Sequence, residues 1–447
     1  MLPAACIEDY GNKMNADSRS RPNSPTVFGH PPAPALLITS HRRPRDPVTD
    51  SLSGHRRFTS GAAAACRSRA GSATLPGMPD ERDHSAAPPT LRVLALSPYH
   101  AGSHRAVFEG WRGNSRHAID VWALPGRHWK WRMRHGAATF ARRAVETLAD
   151  PHHPRPDALV ATSMLDLASF LGLARRALPA TPAAVYMHEN QLAYPPRPGS
   201  RADPRDAHFA LTQLNALLAA DAVWWNSAFN RDSFLDRLGP LLGSMPERSA
   251  GAGLVGVEER IASKSRVLAP GLDAGLVGPG AAALPPSREP GPLRLLWAAR
   301  WEHDKAPDVF FDAIDELARR RPALAFELLV IGAPHHASAP AFESFRRRHE
   351  PRVRAWGRQA WPDHYRAALD LADVVVSTAR HEFFGLAVAE ATSRRCRPAL
   401  PRDLAYTELY ADPPHAALWH DNTPPSVVDR LETAVRLLEQ TGSAWHD

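Results

Sequence analysis

From residue 91 onward the sequence alternates strand-length apolar runs with amphipathic helical stretches, and that alternation leaves few folds open. Apolar runs stand at residues 91–96, 119–123, 158–162, 183–188, 222–226 and 266–268, with helical stretches at 137–148, 166–177 and 207–219 between them. Strand, helix and strand in repeated order predict a parallel sheet covered on both faces. Residues 271–292 (GLDAGLVGPGAAALPPSREPGP) interrupt the pattern with a Gly/Pro/Ala linker. The alternation then restarts, with strands at 294–298, 326–331, 353–356 and 374–377 and helices at 307–319, 342–349, 361–371 and 386–393. A last amphipathic helix is expected near 426–439. The 307–319 helix has Pro307 in its first turn, where a missing N–H is no loss, and Val309, Phe310, Ala313, Ile314 and Leu317 at helical spacing. The expected fold class is therefore α/β. Two Rossmann-like, doubly wound domains, at 89–270 and 293–447, face a central cleft at the carboxyl ends of their strands.

Residues 1–88 have no hydrophobic periodicity and are rich in Pro, Ser, Arg and Ala, a composition expected to stay disordered. Met78 opens a short polar leader (MPDERDHSAAPPT) before the first strand and is expected to be the true start, with a functional N-terminal arm as the alternative. The tail also distorts the net charge of +7, because residues 1–77 hold ten Lys/Arg against five Asp/Glu. What remains is nearly balanced, so overall basicity does not mark a nucleic-acid binder and only local clusters count. No run approaches the roughly 18 apolar residues of a membrane-spanning helix. Glu8 and Asp9 appear before any apolar stretch that a secretory leader would need, so neither is expected. Three cysteines, Cys6, Cys66 and Cys396, make no disulfide framework and point to a reducing, cytoplasmic location.

The strongest chemical signal is Ser377-TAR-His381-Glu382-Phe383-Phe384-Gly385-Leu386-AVA-Glu390-Ala391. A run of valines, Val374–Val376, predicts a buried strand, after which the chain turns through Gly385 into a helix whose free N–H groups attract anions. Glu382 in the turn and Glu390 in the helix are separated by at most roughly 12 Å at 1.5 Å per residue, which suits the sugar and ribose ends of an extended nucleotide sugar. Two solvated glutamates on an ordinary helix are the alternative for that spacing alone. The segment LLWAAR300WEHDK305APD adds Arg300 and Lys305, two cations on a loop entering the next helix and able to clamp a diphosphate. Together, with Val267-LAP-Gly271-Leu272-Asp273 before the linker, these segments resemble the E-x7-E retaining glycosyltransferases of GT-B fold.

Four strings in the first half carry a narrower resemblance: Leu96-SPYHAGSH104, Leu124-PGRHWKWRMR134, Tyr186-MHENQLAYP195 and Asn226-SAFNRDSFL235. In this order they resemble the tRNA-queuosine α-mannosyltransferase family, which transfers mannose from GDP-mannose to queuosine in a tRNA anticodon. The resemblance runs from about residue 91 to residue 391; the long Pro-rich linker and the tail have no counterpart in it. It implies donor binding by Gly102, Arg300, Lys305, Phe384, Gly385, Leu386 and Glu390, and catalytic roles for His188, Arg300, Lys305 and Glu382. Acceptor contacts fall to Ser103, His104, Glu189 and Asn190, and to the basic aromatic stretch holding Trp129, Lys130, Trp131, Arg132 and Arg134. Cations interleaved with aromatic planes suit single-stranded RNA; an amphipathic helix start with packed tryptophans is the equal alternative. His188 has the reading of a strand-capping histidine beside it, and Glu189 and Asn190 that of turn stabilisers.

Some apparent motifs are set aside. Gly251-Ala-Gly253-Leu-Val-Gly256 follows no strand, and His152-His153 and His335-His336 lack partners at metal-ligand spacing. No D-x-D triplet occurs, so no metal or other cofactor is expected, and Arg300, Lys305 and the helix start would meet the diphosphate charge. The expected partners are a nucleotide sugar and tRNA, without integral membrane association. The rival reading is a GT-B transferase acting on a lipid or polysaccharide at a membrane surface, with residues 127–134 as its basic face.

Overall fold

The computed structural model describes residues 89–195, 207–244, 254–277, 291–334, 339–411 and 417–441. The tail at 1–88, most of the linker, Gly251, Gly253 and the His335-His336 pair lie outside the described residues. Two six-stranded sheets, parallel throughout, form the two halves. The first contains β1 (Arg92–His100), β2 (Ala118–Pro125), β3 (Ala158–Thr162), β4 (Ala183–Met187), β5 (Ala222–Trp225) and β6 (Ser265–Val267), in the order β2-β1-β3-β4-β5-β6. The second contains β7 (Leu293–Ala298), β8 (Phe326–Ile331), β9 (Val353–Gly357), β10 (Val374–Val376), β11 (Arg397–Pro401) and β12 (Leu418–His420), in the order β12-β11-β10-β7-β8-β9.

Both sheets are doubly wound, and alternate residues of one strand enter opposite cores. Leu94 and Leu96 of β1 pack with Phe140 and Phe170, whereas Val93 and Ala95 pack with Phe108 on the other face. In the second sheet Leu295 and Trp297 face one core and Leu296 the other; Val374 and Val376 part from Val375 in the same way. Strand order reverses between β1 and β3 in the first sheet and between β7 and β10 in the second. Those are the points where an open α/β sheet leaves a crevice at its carboxyl edge.

The structure corrects several expected elements. The first strand runs beyond the apolar run at 91–96: β1 continues to His100, opposite Pro125, and Gly102 begins the helix Gly102–Asn114. Gly102, Ser103 and His104 therefore form a helical first turn. The second helix begins at Trp129, eight residues before the expected start, because Met133, Ala137, Phe140, Ala141 and Ala144 already define its buried stripe. Helix Ala228–Gly243 was hidden by Gly239 and Pro240, yet Ser227 caps Asn230 N at 2.9 Å and Asn230, Phe234 and Leu238 bury at four-residue spacing. Two further strands, β11 and β12, were not expected. The first carries Pro398 and Pro401, which argue against a central strand, but it lies between β10 and β12. The start of the linker is ordered as well, with the turn Ala274–Val277 placing Leu276 in the core of the second half.

Candidate active site

The loop leaving β7 crosses the end of β8 at very short range. A Cβ on Gly332 would lie 1.7 Å from the carbonyl oxygen of Ala299, so only glycine permits the crossing. The loop then tightens into the 3-10 turn His303–Lys305, and Ala306, at φ 43°, leads into the helix Pro307–Arg320. The loop leaving β10 is stitched to it by Thr378 Oγ1, which donates to the carbonyls of Lys305 and Ala306 at 3.0 and 2.9 Å, and by Arg380 N, which donates to Asp304 O at 2.8 Å.

That stitching buries Lys305 against the second motif. Its Nζ donates to His381 O at 2.7 Å and lies 3.1 Å from Glu382 Oε2 and 3.2 Å from Asp304 Oδ2. Burial works to raise the Glu382 pKa, but Lys305 and the backbone N–H groups of Phe384 and Gly385 outweigh it and hold the carboxyl below its ordinary value. Burial likewise works against the Lys305 ammonium, and the neighbouring Glu382 and Asp304 more than compensate. Gly385, at φ 86°, starts the helix Leu386–Ser393, and a Cβ there would lie 2.6 Å from the Tyr406 ring. Glu390 receives the Tyr365 hydroxyl at 2.6 Å, and burial raises its pKa against that bond. Arg300 is exposed, with Nη1 donating to Glu302 at 3.0 Å.

The first half brings its own groups to the same crevice. His104 and His188 are buried with ring centroids 4.0 Å apart. Burial lowers both, His104 to about 3 and His188 well below its ordinary value, so both imidazoles are neutral near pH 7. His188 Nε2 and His104 Nδ1 have no hydrogen-bond partner among the described residues. Burial raises the Glu189 carboxyl, and the positive charges of Arg300 and Lys305, from the other half, pull it back. Tyr194 meets His381 edge-on at 4.8 Å, a direct contact between the two halves.

Asn190 has the contacts of the turn-stabilising alternative. It is fully buried, its Nδ2 donates to Asn230 and Ser233, and its Oδ1 accepts from Ala193 N at 2.7 Å. In the basic aromatic stretch, Trp129 packs on Phe209 at 5.0 Å, with Met133 and Met164 in the same cluster. Arg132 donates to Pro125 O at 3.1 Å, and Lys130 lies 5.6 Å from the Trp129 ring. Trp131 is 64% exposed and Arg134 lies 5.9 Å from its ring. Trp129 thus packs into the helix start, as the amphipathic-helix alternative has it, and Trp131 stands exposed.

Residues 92–272 match the family model described as tRNA-queuosine alpha-mannosyltransferase N-terminal, and residues 239–398 match family 4 glycosyltransferases in conflict systems. A tRNA-queuosine alpha-mannosyltransferase from Drosophila melanogaster is 32% identical over 344 residues, covering 71% of this chain and 81% of that one. The chain belongs to the tRNA-queuosine α-mannosyltransferase family. It is a glycosyltransferase. The catalytic domain of starch synthase IV from Arabidopsis thaliana, bound to ADP and acarbose, superposes with a TM-score of 0.57 over 80% of this chain and 94% of that one at 12% identity. Anabaena HepE in complex with UDP superposes with a TM-score of 0.51 over 80% of this chain and 92% of that one at 14% identity. Those likenesses show the GT-B fold.

The sequence motifs singled out Lys305 and Glu382 as candidates but not Asp304, whose side chain is completely buried beside Lys305. Tyr194 and His381 stand in the quoted motifs without a role assigned to them, and Tyr365 lies outside those motifs. The adjacency of Asp304 to Lys305 was the one available signal, and in a polar loop it carried little weight. Among the described residues no three His, Cys, Asp or Glu side chains gather as metal ligands would, and no helix is long and apolar enough to cross a membrane.

Proposed function

We propose that this enzyme transfers mannose from GDP-mannose to the cyclopentenediol of queuosine in a tRNA anticodon, with retention at the anomeric carbon. The reading is supported chiefly by one juxtaposition. Glu189, within the segment matching the mannosyltransferase model, lies in the field of Arg300 and Lys305 from the other half. An acceptor held by residues 89–270 would thus meet a donor held by residues 293–447.

In this mechanism the donor's anomeric C–O bond breaks through an oxocarbenium-like state, and the acceptor hydroxyl attacks from the leaving-group side. Arg300 and Lys305 stabilise the departing diphosphate, which is electrostatic catalysis at the position where charge develops. Glu382 and the Phe384–Leu386 backbone hold the sugar, and Glu390 holds the ribose. Gly102 lets the backbone approach the donor, and Ser103, exposed in the first helical turn, reaches the acceptor. His188, kept neutral by burial, offers Nε2 to a hydroxyl. Glu189 orients the acceptor diol. The mechanism uses no metal and takes place in the cytoplasm.

Incubation with GDP-mannose or UDP-sugars and with queuosine-containing or queuosine-free tRNA, followed by mass spectrometry of the nucleosides, tests the proposal. Mannosylated queuosine from GDP-mannose alone is the expected product. Modification of neither tRNA with any donor refutes the acceptor assignment, and transfer to a glycolipid would favour the membrane-surface rival.

A further inference from the structure

The second half has a cavity of about 680 Å³ in addition to the crevice at Lys305 and Glu382. It lies at the carboxyl ends of β10, β11 and β12, on the same sheet edge as Lys305 and Glu382 but on the opposite flank from β8 and β9. Its volume is within the roughly 300–1,000 Å³ usual for small-ligand sites. Arg380, Arg402 and Arg430 line it with Trp419 and Asn422.

The chemistry of the lining is specific. Arg380 is held by an exposed pair with Asp308 at 2.8 Å, an interaction worth little in water and easily exchanged. Arg402 lies over the Trp419 ring at 5.7 Å. Arg430 Nε is buried without a partner among the described residues. Asn422 donates its Nδ2 to the carbonyls of Thr378 and Ala379 at 3.0 and 3.2 Å, which fixes the amide with Oδ1 as its free end, and Oδ1 is also buried and unpartnered. Unsatisfied buried polar atoms of this kind are rare and call for an explanation. The two carboxylates in the wall already serve turns: Asp421 accepts from Thr423 N at 3.0 Å and Asp403 from Leu404 N at 2.7 Å.

We propose that this cavity is a second nucleotide subsite, which takes one nucleotide of the acceptor RNA next to the modified one. The arginines receive a phosphodiester, the base stacks on the Arg402–Trp419 pair, and an N–H of the base donates to Asn422 Oδ1. Once Arg380 exchanges Asp308 for the ligand, three arginines against two aspartates in the lining leave one net positive charge, which matches a phosphodiester better than the donor's diphosphate. Guanidinium planes and aromatic rings are the stacking surfaces of single-stranded RNA recognition. This inference rests on the RNA-acceptor reading of the active site.

The test uses Arg402→Glu and Trp419→Leu in the full chain, a queuosine-containing anticodon stem-loop RNA titrated across salt concentrations, and GDP binding by calorimetry. Each variant should bind the RNA roughly 5- to 150-fold more weakly, the range for loss of one stacked base. Arg402→Glu should also flatten the log–log salt dependence by at least about 0.7, the share of one single-strand phosphate contact. GDP affinity should not change. Arg402 is exposed, so its variant keeps the test valid if Trp419→Leu melts early. Unchanged RNA affinity and slope in Arg402→Glu, with wild type binding RNA, overturns the subsite and leaves the proposed function standing. A parallel loss of GDP binding assigns the cavity to the donor and also overturns it. Failure of wild type to bind RNA removes the proposed function and this inference together.

Discussion

Replacing Lys305 by alanine tests the centre of the site, because the proposed leaving-group contact and a buried ion pair meet in that one residue. Sequence alone suggested an open cleft, where removing one leaving-group contact costs about 10²–10³ in rate and leaves the fold intact. In the structure the ammonium is buried between Asp304, whose side chain has no exposure, and Glu382. Its removal leaves two carboxylates facing each other without a counter-charge, and breaking a buried pair from one side costs about 3–5 kcal/mol. At about 2–4 °C per kcal/mol, melting of the second half should fall by roughly 6–20 °C. The loss should depend on pH. Lys305 holds Glu382 below its ordinary pKa, so the pair stabilises the fold above that value and ceases to as pH drops through the folded-state pKa. The variant should therefore approach wild-type stability in acid. Adding Asp304→Asn should recover much of the melting temperature at neutral pH but none of the activity. Calorimetry from pH 4 to 8 beside single-turnover kinetics separates the two tasks. A single variant that melts with wild type, or a double variant that regains turnover, refutes the argument.

Other expectations follow from the same geometry. Gly385→Ala should lower both stability and donor affinity, because φ 86° and a Cβ at 2.6 Å from Tyr406 strain the helix start by about 1–3 kcal/mol; thermal melting and GDP calorimetry measure it. Burial raises Glu189 and Arg300 opposes it, so the acid limb of kcat/KM should lie above 4.5, and Arg300→Ala should move it further up; a limb that stays in place in the variant shows that Glu189 does not control it. Trp131→Ala should weaken tRNA binding by about 1–3 kcal/mol without a change in melting, whereas Trp129→Ala should lower the melting temperature, since only Trp131 is free to stack.

The sequence was most legible where one property dominated. Three valines at β10 could only be a buried strand, and Gly385 before an apolar run had to turn into a helix, so the path to Glu382 was readable. It failed where signals competed. The prolines of β11 argued against a strand that in fact lies inside the sheet, and the three residues of β12 are too short to show a period. The cavity at Arg402 and Trp419 lies at the ends of those two strands, so it was invisible for the same reason. Asn190 illustrates another limit: a polar residue two positions after a strand-end histidine has the same sequence signature whether its amide faces a substrate or is consumed in a turn. Only the contacts with Asn230 and Ser233, some forty positions away in the chain, distinguish these cases.

Contacts between the halves have one further consequence. The helix Ala228–Gly243 belongs to the first half, yet its first two N–H groups are satisfied from the second: Ala228 and Phe229 donate to the Glu408 carboxylate at 3.0 and 2.8 Å. A carboxylate at that position satisfies orphan donors and complements the helix dipole. Beside it Phe229 packs near Phe383, one residue from Glu382, with ring centroids 6.2 Å apart. The contact between the halves thus has a polar cap at its exposed side and an apolar pair next to Glu382. Loss of a cap typically costs about 1 kcal/mol, which at this interface weakens closure more than it weakens either half. Glu408→Ala should therefore leave the melting of each half near wild type and widen the particle in solution scattering. Since closure excludes water from the donor, hydrolysis of the nucleotide sugar should rise relative to transfer, by up to about fivefold for 1 kcal/mol of bias toward the open form. Unchanged scattering together with an unchanged ratio of hydrolysis to transfer would show that Phe229 and Tyr194 hold the cleft without the cap.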